Sequence, residues 1–456
     1  MPRPKLSKGA ASGSSPAKGK SSKALPKRAP KAEPKKKLTK RQAAKKKSEE
    51  RSGKGEVTTV HAWLEKVQKM DKFKGVVQVG YADQLDAPYH LRRPTGVMSL
   101  DIALGGGFHA GGVAQIYSEE SVGKTYLAFQ TAGIVQQNYG KDANILIVPT
   151  EIHTDKSFAR KAGLCIGYSE NEIAHFENVR LAKGMAPYTD EERADLQKTI
   201  GNIIFDRAGT GDKALDLVEE ALKSGLFQLV IIDSLGALLT PDQEAGDVGD
   251  RTYGGSSPIL TNFMNKIYPL YMMARSDGSM LETTVIGINQ ARAEMNSFGH
   301  GPKIHAAAGA FAWKHAQLAS IELGKSSAIK GSENGPAIGR EIRWHITKGK
   351  AGTHDGPKGK YNYYHVPKTD PIFWKDVELC ISQYGIDRIT DMVDVASKLG
   401  VVEVAGSWYR LVEDGKEIFK AQGKEAFADR LVNEPDLYDK IYEQSLIKAD
   451  LSVRYR

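Results

Sequence analysis

The sequence predicts an α/β protein with a mainly parallel central sheet covered by helices on both faces, followed by a small α+β module. Three observations lead there. Between about residues 95 and 370, aliphatic and β-branched runs alternate with helical stretches. VAQIY (113–117), NILIVP (144–149), LVIID (229–233) and TVIGIN (284–289) read as buried parallel strands, and 124–139 and 212–224 as crossover helices. One strand runs through a short loop into a helix at VAQIYSEESVGKTYLAFQ, the setting of a phosphate-binding loop. From 371 to 456 the pattern changes to short helices around a hairpin, SWYRLVEDGKEIF (407–419), turning at Asp414-Gly415.

In chain order, residues 1–55 come first, with 19 Lys and Arg against three Glu, a net charge of +16. The whole chain carries +9, so the remainder holds −7 and the basic character belongs to the tail. With almost no large apolar residues, this tail cannot bury enough surface to offset its ordering entropy and is expected to be disordered. Its clusters Lys35-Lys36-Lys37 and Lys45-Lys46-Lys47 suit sequence-independent contact with nucleic-acid phosphates. A solubilising tail and a nuclear-import signal at PKKKLTKR (34–41) are the other readings. Residues 56–92 form an amino-terminal segment with an amphipathic helix near 58–70, its face made by Val60, Trp63, Leu64 and Val67, and a strand at 75–80. A helix and one strand have no sheet of their own, so they must dock on the core or on a neighbouring subunit. The core spans 93–370, with glycine-rich loops expected at 105–112, 246–255 and 299–309, and the carboxy-terminal domain spans 371–456.

Composition narrows the function classes. No apolar run approaches the roughly 20 residues that cross a bilayer, and the amino terminus lacks the apolar stretch of a secretory signal. Two cysteines, Cys165 and Cys380, make neither a disulfide framework nor a metal-ligand spacing. The expectation is a cytoplasmic protein of a reducing compartment with no membrane partner.

The phosphate loop covers Ser118, Glu119, Glu120, Ser121, Val122, Gly123, Lys124 and Thr125. Successive backbone N–H groups from Glu120 to Thr125 are expected to converge at the positive end of the following helix. Lys124 then reaches the β- and γ-phosphates, and the Thr125 hydroxyl takes a position on Mg²⁺. Ser118 stands where G-x-x-x-x-G-K-[ST] has its first glycine, and a positive φ there would cost serine about 1 kcal/mol. Asp233 ends the strand LVIID, where a carboxylate holds Mg²⁺ through water. Glu151 follows NILIVP at the same sheet edge and is the candidate base for the attacking water. Gln290, just after TVIGIN, is placed to sense a γ-phosphate with its amide.

These passages resemble the bacterial RecA recombinase family. RPTGVMSLDIALGGG and GGVAQIYSEESVGKT look like the opening of its core. PTEIHTDKSFARKAG, VIIDSLGALLTP, EAGDVGDRTYG and GINQAR extend the likeness. ITKGK (346–350) and the carboxy-terminal passage 405–435 carry it on, while 177–203 and the basic tail lie outside it. The resemblance implies a RecA-type P-loop ATPase core that uses ATP and Mg²⁺. It also implies a filament that self-associates on single-stranded DNA, pairs it with a homologous duplex and exchanges strands. Lys124, Thr125 and Asp233 match the family's phosphate and Mg²⁺ positions, Glu151 its catalytic glutamate, and Gln290 the residue coupling nucleotide to the second DNA loop. Phe158 falls where the family stacks an aromatic on adenine, and Asp155 where a carboxylate accepts from the adenine amine. Lys348 and Lys350 match the lysines that a neighbouring subunit inserts towards the phosphates, and Lys314 is assigned to the same interface.

The resemblance further implies two DNA loops. The first, about 246–255, supplies Gly249, Arg251, Tyr253 and Gly254. The second, about 291–309, supplies Arg292, Met295, Lys303 and Gly309. Glycine admits backbone to phosphates, arginine and lysine add charge, and Met295 or Tyr253 wedges between unstacked bases. Glu294 and Pro258 depart from the family pattern at these loops. The helix and strand of 56–92 match the segment that docks on the adjacent protomer, adding a strand to its sheet. Two rival functions remain open to the sequence: a RecA-fold helicase or regulatory ATPase, and a DNA-coating protein with weak hydrolysis.

Overall fold

The structure is a computed structural model. It describes Ala62, Glu65–Val67, Lys69–Met70 and residues 91–451, except 150–155, 183, 207–210, 239–256, 273–278, 295–302, 307–310, 331–333, 366–384, 414 and 433. The chain divides into residues 1–63 and a compact unit of residues 64–456, and nearly all the described residues belong to the second. Of the helix expected over 58–70, Ala62 and Glu65–Val67 are helical. The strand expected at 75–80 and the basic tail lie outside the described residues.

The core begins with β1 (Arg92–Arg93), α1 (Met98–Ala103) and β2 (Phe108–His109), where β1 and β2 pair antiparallel. The passage 105–112, expected as a loop throughout, is thus interrupted by a two-residue strand. Next come β3 (Gly112–Ser118), α2 (Lys124–Tyr139), β4 (Asn144–Pro149), α3 (Lys156–Lys161), α4 (Glu170–Ala182), α5 (Asp190–Gln197) and β5 (Asn202–Phe205). They are followed by α6 (Gly211–Ser224), β6 (Leu229–Asp233), α7 (Ser257–Met272), β7 (Thr284–Glu294), β8 (Lys303–Ala306) and α8 (Phe311–Ala316). Three long strands close the core: β9 (Ala319–Lys330), β10 (Ala337–Gly349) and β11 (Lys358–Tyr364).

Among the described residues the sheet runs β12-β11-β10-β9-β3-β7-β6-β4-β5, where β12 is Gly385–Ile386. The strands from β9 to β5 pair in parallel, and β10, β11 and β12 add an antiparallel flank. Side chains alternate between two cores, as a two-residue period demands. Ala114, Ile116, Ile145, Ile147, Leu229, Ile231, Ile286 and Ile288 face α2. Val113, Leu146, Val148, Val230, Ile232 and Val285 face α6, α7 and Trp313 of α8. The helix α2 has no charge after Lys124 and is buried from Tyr126 to Gln136, so it is enclosed rather than amphipathic.

One sequence expectation changes. The glycine-rich passage 291–309 is not a loop from end to end. β7 continues to Glu294, and β8 pairs back on it, with Arg292 opposite His305 and Glu294 opposite Lys303. Mutual backbone pairing of the two flanks turns the expected loop into the arms of a ribbon. The passage 177–203 includes the end of α4, the helix α5 and the start of β5. Thr189 caps α5 in a reciprocal box with Glu192, and Arg193 clasps Glu177 of α4.

The carboxy-terminal module comprises α9 (Arg388–Lys398), β13 (Val402–Ala405), β14 (Trp408–Glu413), β15 (Lys416–Gln422), α10 (Lys424–Val432) and α11 (Pro435–Lys448). The expected hairpin is β14–β15. Its own core, around Phe427, Leu411, Met392 and Ile441, also takes in Met98 of α1. Asp391 of α9 fastens this seam by accepting from Ser99 N at 3.0 Å and Ser99 Oγ at 2.6 Å.

Candidate nucleotide site

The site is made at the carboxyl ends of β3, β6 and β7, where an open parallel sheet leaves backbone and helix N-termini facing outward. β3 ends at Ser118, the loop turns, and Gly123 caps α2 with φ 101°, a conformation that favours glycine. The α2 N-terminus therefore points into a cleft of about 650 Å³. Glu120 to Thr125 line it with Phe158, Asp233, Ser234, Ile288, Gln290, Arg340, Tyr363 and His365.

The strain expected at Ser118 is not there. Ser118 is the buried last residue of β3, paired with Gln290 on one side and Leu323 on the other, and its Oγ donates to Glu119 O at 2.6 Å. The positive-φ positions in the loop are instead Ser121, with φ 55°, and Gly123. A strand that runs through the first motif position needs no glycine there.

Thr125 Oγ1 donates to Asp233 Oδ2 at 2.7 Å, so the first turn of α2 and the end of β6 bring two hard oxygens together. Lys124 Nζ donates to Glu119 O at 2.8 Å and to Ser118 O at 3.3 Å, lying back along the loop. Phe158 on α3 packs at the cleft wall against Phe129 (5.9 Å between centroids) and Tyr126 (6.2 Å), and Tyr126 meets Tyr363 edge-on at 5.2 Å. Asp155 and Glu151 lie outside the described residues. So do Gly249, Arg251, Tyr253, Gly254, Met295 and Gly309. Arg292 and Lys303 are placed on β7 and β8 by their backbones alone.

Arg340, Tyr363 and His365 were not found from the sequence. They come from β10 and the end of β11, and only the antiparallel flank brings them across to the loop. Burial, then the adjacent Arg340 charge, lowers the His365 pKa at the mouth of the cleft.

Lys348 and Lys350 do not join this cleft in one protomer. Lys350 N donates to Leu318 O, whose own N–H donates to Val113 O at the start of β3. The phosphate loop leaves the other end of that strand at Ser118, five positions or about 17 Å away. Both ammonium groups rest on the carbonyl end of α8, Lys348 on Lys314 O and His315 O and Lys350 on His315 O at 2.7 Å. Burial, with Lys350 and Lys314 nearby, lowers the Lys348 pKa to about 8.

A family model, the RecA N-terminal domain, matches residues 58–170 and 186–354. The chain belongs to the RecA family. Against Protein RecA of Syntrophus aciditrophicus it is 27% identical over 352 residues, 77% of this chain and 82% of that protein. Against Protein RecA of Thermus thermophilus it is 26% identical over 360 residues, 78% of this chain and 85% of that protein. A crystal structure of the RadB recombinase aligns over 59% of this chain and 94% of that one, at 18% identity and a TM-score of 0.36. The RecA match skips 171–185 and resumes at 186, so of the passage 177–203 that the sequence set outside the likeness only 177–185 stays outside it. Among the described residues no helix is long and apolar enough to cross a membrane, and no cluster of three His, Cys, Asp or Glu could hold a metal ion.

Proposed function

We propose that this chain is an ATP-dependent DNA recombinase, which polymerises on single-stranded DNA, pairs it with a homologous duplex and exchanges strands in recombination and repair. The observation that carries the reading is the convergence of Lys124, Thr125 and Asp233 at the N-terminus of α2, in a chain whose core matches the RecA model.

The Thr125 hydroxyl and the Asp233 carboxylate, 2.7 Å apart and both hard oxygen donors, suit Mg²⁺. Bound there, Mg²⁺ would neutralise charge on the β- and γ-phosphates. The loop's N–H groups bind phosphate at the positive end of α2, and Lys124 swings from its carbonyl partners onto the phosphoryl oxygens. Phe158 supplies a face for the base, and Asp155 a carboxylate for its amine. Glu151, just beyond the end of β4, orients the attacking water and takes its proton. Gln290 sits on β7 beside the loop, on the strand that continues into the 291–309 ribbon. An amide contact with the γ-phosphate there would bias the DNA-facing residues Arg292, Met295, Lys303 and Gly309. Gly249, Arg251, Tyr253 and Gly254 form the other DNA contact.

Lys348 and Lys350 lie on the edge of the sheet away from their own phosphate loop, so they serve the site of the next protomer. A cation delivered across that seam stabilises charge on the transferring phosphoryl group only when subunits are stacked. ATP binding and polymerisation are thereby linked.

Lys124→Ala tests the reading. DNA-stimulated ATP turnover is expected to fall to background and ATP-driven strand exchange with it; normal turnover would remove the phosphate assignment.

A further inference from the structure

Beneath the turn that carries Lys350 lies a buried cation that the mechanism above does not use. Arg92 of β1 is 8% exposed, and its guanidinium is met by two backbone carbonyls and an imidazole. Its Nη2 donates to Ala351 O at 2.9 Å and its Nη1 to Leu104 O at 3.3 Å. Nη1 also meets His109 Nε2 at 2.6 Å. A guanidinium has donors only, so Nε2 accepts and the ring proton sits on Nδ1. The same Nε2 lies 3.1 Å from Thr353 Oγ1, which in turn donates to Leu104 O at 2.6 Å. Arg92 and Thr353 thus tie β1 and the end of α1 to the turn 350–353 through the shared Leu104 O and through Ala351 O, and His109 of β2 closes on the guanidinium.

That turn needs a brace. Ala351 holds φ 51° and Gly352 φ 87°, and for alanine the left-handed region costs about 1 kcal/mol. A Cβ on Gly352 would lie 3.3 Å from Arg92 Nη2, and one on Gly105 3.2 Å from Gly352 O, so the turn packs closely on the guanidinium and on the end of α1. Thr353 N donates back to Lys350 O, which closes the turn around the lysine. Burial lowers the Arg92 pKa only to about 10, so the group stays charged at neutral pH.

We propose that Arg92 is the positioning residue for Lys350 and Lys348. Its guanidinium, through Ala351 O and through Leu104 O, which also accepts from Thr353, sets the turn that carries Lys350 and follows Lys348 at the end of β10. This rests on the reading that the lysines act in trans. A protomer altered at Arg92 is then a poor donor of lysines but a sound acceptor, because its own phosphate loop lies at the other end of β3.

Arg92→Met in the full chain is expected to lower DNA-stimulated kcat by about one to two orders of magnitude, the scale of a 1 Å misplacement. ATP affinity of the unassembled chain should be unchanged. Mixing it in equal amounts with Lys124→Arg, which supplies intact lysines but misplaces the phosphate cation, should restore about a quarter of wild-type turnover. Random order in a head-to-tail polymer gives that share of seams a good acceptor and a good donor. A Lys348→Ala and Lys124→Arg mixture is the control. Thr353→Ala, which leaves Arg92 in place, should move kcat the same way by less, and it carries the test if Arg92→Met does not fold. Full turnover by Arg92→Met overturns the proposal. So does an Arg92→Met mixture with no gain beside a control mixture that gains, and the trans reading then survives. A control mixture without gain brings down the trans reading and this proposal together.

Discussion

Ser118→Gly would restore the glycine usual in this loop, and it should weaken the protein without quickening it. In the structure Ser118 is a strand residue paired on both sides, 1% exposed, with no positive φ. Glycine in a strand interior costs about 0.5–1 kcal/mol in backbone entropy. Loss of the Oγ bond to Glu119 O, 2.6 Å long, removes about another 0.5–1.5 kcal/mol. Together that is about 1–2.5 kcal/mol, equivalent to a drop of several degrees in midpoint, about 2–4 °C per kcal/mol at most for a unit this large. The loop N–H groups, Lys124 and Thr125 keep their positions, so ATP turnover on single-stranded DNA should be unchanged within about twofold. Thermal unfolding and steady-state ATP hydrolysis of the variant measure both. A higher midpoint together with faster turnover would show that position 118 demands glycine and would refute the strand assignment at the loop entrance.

Three further outcomes follow from the geometry. Glu151→Gln should hydrolyse ATP slowly yet still assemble on DNA with ATP, read by single-turnover hydrolysis and light scattering; unchanged turnover excludes Glu151 as the base. Lys348 has its pKa lowered to about 8 in the folded protomer, so its charge is lost as pH rises through that value. ATP-driven assembly should therefore weaken above about pH 8, and Lys348→Arg, whose cation persists, should move the loss to higher pH. Asp391 is raised to about 6 by burial, despite its two bonds from Ser99. A carboxyl raised in the folded state contributes stability that is full below about 3.8 and lost as pH rises through about 6. Asp391→Asn, which can accept from Ser99 N and donate to Ser99 Oγ, should flatten that part of the pH profile of the thermal midpoint, and an unaltered slope would assign it elsewhere.

Most of the parallel core was legible in the sequence. VAQIY, NILIVP and LVIID are strands at or within one residue of the expected bounds, and α2 runs over the expected 124–139. A buried parallel strand must be apolar on both faces, and a run of five or six residues shows this by itself. The loop order around Lys124 and Thr125 and the carboxylate at the end of β6 were legible for the same local reason. The ribbon β7–β8 was less so, because its glycines resemble a loop until the two flanks are seen to pair. Arg340, Tyr363 and His365 gave no local signal.

The sequence by itself determined that a phosphate loop follows a buried strand and that an acidic residue closes a second one, since both depend on neighbours a few positions apart. Only the tertiary structure decided that Ser118 is extended and not left-handed, because its pairing with Gln290 and Leu323 carries β3 into the motif. It also decided that Lys348 and Lys350 stand a strand's length from their own loop and that Arg92 reaches Ala351, 259 positions away. Those relations arise from strand direction and register across a sheet, which join segments hundreds of residues apart and leave no trace in the pattern of either segment.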